Sequence, residues 1–299
     1  MPAISMSTGH DLVDRNAYPF DSHCLGLPAG RLHYVDVGEG PPVVMVHGNP
    51  TWSFLYRDLI RRLSAEHRCV AIDHLGFGWS DKPRGWSYLP QDHAANLAVL
   101  IDTLQRKDIT LVVQDWGGPI GLSHAVTYPE NVARVVLMNT RAWPVNRDPY
   151  YIAFSGFMGE PIGRTLIRRY NFFAGTMMRR LFGDKTRLTP EAHAQYLRAL
   201  PTAADREGCV VLPKQIVSAT PWLGRLWSRM PALADKPILI VWGMKDIAFR
   251  EEELRRWETV FPKAHPVRLP TVGYFVQEEA PQELARAVGA FPDGSEVAC

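Results

Sequence analysis

A chain of 299 residues, 46% of them apolar, can bury a sizeable core and is best read as a single α/β domain carrying a sizeable insertion. A net charge of +2 gives no electrostatic case for nucleic acid or for an anionic membrane surface. No run approaches about 18 uninterrupted apolar residues, and the opening MPAISMSTGHDLVDRN lacks a basic stretch followed by an apolar one, so neither membrane spanning nor secretion is expected.

In chain order, RLHYVDVG alternates like a half-buried strand, whereas PPVVMVHGNP and CVAIDHLGFG are continuous apolar runs of the kind that fill parallel sheets. HAANLAVLIDTLQR then places apolar residues at helical spacing, ITLVVQDWGG reads as a strand, PIGLSHAVTY as a helix and VARVVLMNT as a further strand. Between about residues 140 and 230 the rhythm breaks into short helical patterns rich in aromatics and arginines, too aromatic for a disordered linker, and these predict a helical lid inserted after about the sixth strand. The strands resume with KPILIVWGMKD and HPVRLP, and Pro281 suits the first turn of a last helix. Strands alternating with helices predict an open, mostly parallel sheet covered on both faces, with ligand sites beyond the carboxyl ends of its strands. Cys24, Cys69, Cys209 and Cys299 form no CxxC pair and no Cys/His cluster of zinc spacing, and are expected to be reduced thiols of a cytoplasmic protein with no structural metal.

The strongest chemical signal is LVVQDWGGPIGL, a strand running into Asp115 followed by two glycines that open a helix. That is the layout of a nucleophile elbow, which lifts one side chain above the sheet edge, although an Asp at a helix start is also what a plain N-cap looks like. Gly117 and Gly118 allow the helix to approach the strand closely. In VVMVHGNPTWSFLYRDLI the turn after a strand exposes backbone N–H groups and the amide of Asn49 toward the same edge; His47 in that tight turn reads as structural. Asp246 follows the strand ILIVWG on a loop, where the order nucleophile, acid, base places the acid. The base is then expected after HPVRLP.

Taken together, HGNPTWSFLYRDLI, IDHLGFGWSDKP, VVQDWGGPIGL, LMNTRAWP, WGMKDIAFR and GYFVQEEAP resemble the haloalkane dehalogenases of the α/β-hydrolase superfamily, from about Tyr18 to Pro292. The resemblance implies an α/β-hydrolase fold, with a mostly parallel eight-stranded sheet flanked by helices. The core would comprise residues 1–139 and 231–299, with a helical cap over 140–230. It implies Asp115 as the nucleophile that forms an alkyl ester, Trp116 and Asn49 as the halide donors, and Asp246 as the acid that orients a histidine base. The implied partners are a small apolar halogenated substrate, water and the released halide, with no cofactor and no metal.

The family's histidine position is occupied by Tyr274, in GYFVQEE. A neutral phenol with a pKa of about 10 is a poor base at neutral pH, and a neighbouring carboxylate raises that pKa further, so hydrolysis of the ester is expected to be impaired. Neither His124, in the elbow helix, nor His265, at the start of the preceding strand, is a convincing substitute. A second departure is Arg141 in NTRAWP, where relatives often carry an aromatic; it either alters the pocket mouth or sits in solvent. Three alternatives share the pattern. One is an epoxide hydrolase using lid tyrosines (Tyr150, Tyr151, Tyr170), another a β-lactone decarboxylase, and the third a non-catalytic ligand-binding member of the fold.

Overall fold

The computed structural model describes residues 4–6 and 15–291. Its centre is a nine-stranded sheet in the order β1-β2-β3-β5-β4-β6-β7-β8-β9. The strands are β1 (Ile4–Met6), β2 (Ser22–Leu27), β3 (Gly30–Val37), β4 (Pro42–Val46), β5 (Arg68–Ile72), β6 (Ile109–Gln114), β7 (Val132–Met138), β8 (Ile238–Gly243) and β9 (His265–Leu269). β4 through β9 make parallel pairs in that order of neighbours, while β1, β2 and β3 join antiparallel at one edge, β3 against β5. The expected eight strands are thus extended by a ninth, the three-residue β1. The apolar runs behave as expected: every residue of β6 and of β8 is buried. β3 departs from the alternation read in RLHYVDVG, because Leu32, His33, Tyr34 and Val35 are all buried in succession. It lies between β2 and β5 rather than at the edge, and His33 is accommodated by a 2.8 Å hydrogen bond between its Nδ1 and the equally buried Asp73 carboxylate.

Helices α1 (Arg57–Leu63), α2 (Pro90–Thr103) and α3 (Gly117–Thr127) cover the sheet, followed after β8 by α10 (Glu251–Val260), α11 (Val276–Glu279) and α12 (Pro281–Gly289). α12 begins at Pro281, whose missing N–H costs nothing in a first turn. Between β7 and β8 the described chain forms helices and no strand: α4 (Pro149–Gly159), α5 (Pro161–Tyr170), α6 (Met178–Leu181), α7 (Pro190–Arg198), α8 (Glu207–Ser218) and α9 (Thr220–Ser228). Among the described residues no helix is long and apolar enough to cross a membrane. Cys24, Cys69 and Cys209 are buried free thiols; Cys299 and most of the opening stretch lie outside the described residues.

Register brings the chemistry together. Val46 pairs with Val113, Gln114 with Met138 and Met138 with Val241, so β4, β6, β7 and β8 end level and their loops open on one side. The close approach of α3 to β4 depends on Gly117, where a Cβ would lie 2.0 Å from the Val46 carbonyl oxygen.

A buried ion pair ties the helical segment to the sheet. Arg57 on α1 donates from Nη2 to Glu278 Oε2 at 2.8 Å and from Nη1 to Oε1, and the Tyr196 hydroxyl on α7 donates to the same carboxylate. Both charges are almost wholly shielded from water, so removing one leaves the other uncompensated. Arg57→Met should therefore cost about 3–5 kcal/mol in chemical denaturation, and adding Glu278→Leu should recover most of it. A loss below about 1 kcal/mol for the single variant would contradict this.

Candidate active site

Asp115 stands between β6 and α3 with φ of +52°, in the left-handed region that costs an ordinary residue energy. Its backbone is fixed on all sides. Its N–H donates to Asn139 O at 3.1 Å, and its carbonyl accepts from Gly118 N–H at 3.0 Å and from Thr140 Oγ1 at 2.6 Å. The side chain is therefore aimed rather than free. One carboxylate oxygen accepts the Asn49 backbone N–H at 2.8 Å, and the Trp116 N–H is a second backbone donor to the same group. Gly48 is what permits this approach, since a Cβ there would lie 2.1 Å from Asp115 Oδ1. Burial raises the Asp115 pKa above the usual carboxylate range, and these donors, the Tyr274 hydroxyl and the Arg141 charge oppose the rise.

A cavity of about 220 Å³ opens over the carboxylate. Asn49, Asp115, Trp116, Phe249 and Tyr274 line it from the sheet side, and Tyr151, Phe154, Phe173, Met177 and Ile216 from the helical segment. Its walls are otherwise mostly apolar, as those of small-molecule pockets usually are. Trp116 is 7% exposed and Asn49 Oδ1 is buried without a hydrogen-bond partner.

Tyr274 is buried and lies with its phenol in hydrogen-bonding reach of Asp115. Burial first, then the Asp115 charge, hold its pKa well above the usual phenol value. Its position is set from both sides: its N–H donates to Leu181 O at 3.0 Å, and its carbonyl accepts from Gln114 Nε2 at 3.4 Å. The following QEE segment contributes through Glu279, whose carboxylate accepts the Gly273 N–H at 2.9 Å and the Asp184 N–H at 2.8 Å.

Asp246 is buried close behind, and its carboxylate accepts from Asn139 Nδ2 at 2.8 Å and from the Ala248 N–H at 2.6 Å. Burial pushes its pKa up to about 7, against the pull of those donors and with a further push from the Asp115 charge. Asn139 is the residue that sequence reading missed. From the end of β7 it also accepts the Gly243 N–H at 2.9 Å, which pins the loop that carries Asp246. A polar Asn closing the apolar run VARVVLM was the available signal.

The structure thus brings Asn49, Asp115, Trp116 and Tyr274 to one cavity, with Asp246 buried beside it. His47 is committed elsewhere: Nδ1 contacts Gly48 O at 2.8 Å and Nε2 accepts the His74 N–H at 3.0 Å. No histidine is among the cavity-lining residues. Of the lid tyrosines, Tyr150 and Tyr151 line the cavity, but their hydroxyls donate to Ile247 O and to the Glu253 carboxylate; Tyr170 is exposed and outside it. Arg141 lines the cavity and is 6% exposed, so the solvent placement left open by the sequence does not hold. Among the described residues no cluster of three or more His, Cys, Asp or Glu side chains is arranged to hold a metal ion.

A strand-to-helix elbow over a parallel sheet defines an α/β hydrolase, and the family model described as alpha/beta hydrolase fold matches residues 41–281. Haloalkane dehalogenase 2 of Mycobacterium tuberculosis is 43% identical over 277 residues, which cover 92% of this chain and 96% of that protein. A cis-3-alkyl-4-alkyloxetan-2-one decarboxylase of Shewanella oneidensis is 33% identical over 283 residues, 91% of this chain and 88% of that one. Among solved structures, haloalkane dehalogenase DatA from Agrobacterium tumefaciens C58 is similar with a TM-score of 0.80 at 26% identity, over 90% of this chain and 94% of that one. The chain belongs to the haloalkane dehalogenase family of the α/β-hydrolase fold.

The Asp246 environment has a measurable consequence. An exposed Asp in the unfolded chain loses its proton near pH 4, whereas Asp246 in the folded chain does so near about 7. Between those values the native state holds the extra proton, so this group lowers stability progressively as pH rises from about 4 to about 7 and no further above that. The stability of Asp246→Asn minus that of the unsubstituted protein should rise across that window and then level off. A difference that is flat or falling from pH 4 to 7, by denaturant titration at each pH, would contradict the assignment.

Proposed function

We propose that this chain is a haloalkane dehalogenase-like hydrolase that displaces halide through an Asp115 alkyl ester and hydrolyses that ester slowly or not at all. The observation that carries the reading is a cavity-facing carboxylate at a strained elbow with a buried phenol, not an imidazole, against it. In the first step an Asp115 oxygen bonds to the halogen-bearing carbon, the carbon–halogen bond breaks, and the halide leaves with the bonding pair. Trp116 and Asn49 line the same cavity, and an indole N–H and a side-chain amide are donors suited to a halide leaving in dry surroundings. The helices between β7 and β8 supply the opposite wall, and we read them as a cap over residues 140–230 on a core of 1–139 and 231–299.

The second step requires a base to take a proton from the water that attacks the ester. A phenol held protonated well above neutral pH does not accept that proton. Asp246 would balance an imidazolium, but opposite a neutral phenol it has no cation to orient. Alkylated protein therefore accumulates. An epoxide-opening role through the lid tyrosines is less well supported, because Tyr150 and Tyr151 spend their hydroxyl protons on Ile247 O and Glu253. The 33% identity to a β-lactone decarboxylase supports a second reading, carbon dioxide release from a β-lactone without any halide.

With 1-bromohexane, bromide release by the unsubstituted protein should stop near about one equivalent, whereas Tyr274→His should continue through many turnovers. Continuous release by the unsubstituted protein at a rate equal to that of Tyr274→His would show that another group supplies the base. No bromide from either, with carbon dioxide from a cis-dialkyl β-lactone, would replace this reading by the second.

A further inference from the structure

Only two of the cavity-lining residues are charged, Asp115 and Arg141. Arg141 follows β7 and is 6% exposed, yet no carboxylate among the described residues lies within ion-pair distance of it. Its compensation is partial. Nη1 donates to Trp143 O at 3.3 Å, and the guanidinium carbon sits 4.6 Å from the centroid of the Tyr151 ring, with the Tyr151 hydroxyl as a further neighbour. Nε is buried with no hydrogen-bond partner at all. A guanidinium carries five N–H donors in a fixed fork, and burying one whose donors are incompletely paired is unfavourable unless an anion completes it. Burial accordingly lowers the Arg141 pKa. The Asp115 and Glu253 carboxylates offset the Arg141 charge from beyond ion-pair distance, and Glu253 is at the same time paired by Arg250 and bonded by the Tyr151 hydroxyl.

We propose that Arg141 seats an anionic group of the substrate, so that this cavity takes halogenated carboxylates, with the carboxylate on the guanidinium and the halogen-bearing carbon at Asp115. The inference rests on the reading of Asp115 as nucleophile and specifies what that nucleophile meets. Planar two-oxygen anions match the guanidinium fork, and the repulsion between a substrate carboxylate and Asp115 is offset by the cation between the same walls. The covalent step is unchanged: an Asp115 oxygen bonds to carbon, the carbon–bromine bond breaks, and bromide leaves with its electron pair, while the substrate carboxylate takes no part in bond making. A neutral haloalkane would leave the guanidinium with only the distant Asp115 and Glu253 charges against it, and alkylation removes the first of these.

The test compares ω-bromoalkanoates from 3-bromopropanoate to 6-bromohexanoate with their methyl esters, at neutral pH. The rate of one-alkyl mass gain on the intact protein is the readout. Protection by unreactive butanoate or pentanoate is measured in parallel. For at least one chain length the acid should alkylate roughly tenfold to a hundredfold faster than its ester, the range expected of one charge-assisted contact. In Arg141→Met that ratio should collapse to about one or below, and in Arg141→Lys it should be partly kept. Esters that react as fast as acids overturn the inference and leave the Asp115 reading intact. A preference for acids that survives in Arg141→Met overturns the assignment to Arg141. Protection by bromide as strong as by butanoate, and lost in Arg141→Met, makes the guanidinium a halide seat and overturns the carboxylate. Butanoate bound through Arg141 with no alkylation by acid or ester supports the anion seat and sinks the nucleophile. If nothing binds and nothing reacts, both readings fall.

Discussion

Everything at the carboxyl edge of the sheet depends on one strained residue. Asp115 can hold φ of +52° because its N–H and carbonyl are bonded to Asn139, Gly118 and Thr140, and because Gly48 and Gly117 let neighbouring backbone come close. A conformation that costs about 1–3 kcal/mol persists only when its surroundings over-determine it. The return is a carboxylate aimed into a cavity, with one oxygen fixed by a backbone N–H at 2.8 Å. The level ends of β4, β6, β7 and β8 place the loops with Asn49, Arg141 and Asp246 around that point.

The other half of the arrangement is out of balance. Asp246 keeps its donors, Asn139 and the Ala248 N–H, but faces a phenol instead of a group that can become a cation. A neighbouring carboxylate and imidazole hold each other charged; here burial lifts the acid to about 7 and the phenol well above its usual value, so both drift toward neutrality. On the proposed mechanism, a proton moving off water would find no such support, while displacement by Asp115 would not depend on it. Arg141 is the one cationic residue among those lining the cavity.

Much of this was legible in the sequence because it follows from local rules. QDWGGPIG announces a strand, a sharp turn and a helix, and the apolar runs of β6 and β8 announce strands buried on both faces. The position of Tyr274 was legible as well, since the QEE that follows it includes Glu279, which bonds the Gly273 N–H. What the sequence could not reveal depends on long-range packing. The burial of all four residues Leu32–Val35 comes from neighbouring strands, not from the pattern of β3 itself. Asn139 reaches Asp246 across 107 positions of chain. Arg141 reads equally well as a solvated charge until the helical segment closes over it.

The central claim is that Asp115 forms a covalent alkyl ester that persists. The most direct measurement is proteolysis and fragment sequencing by mass spectrometry after exposure to an excess of a primary bromoalkane. The account predicts a single alkyl group on Asp115, present hours after the excess reagent is removed, and absent from an Asp115→Asn control. An alkyl group on another residue, or an unmodified Asp115 while bromide is released, would contradict it.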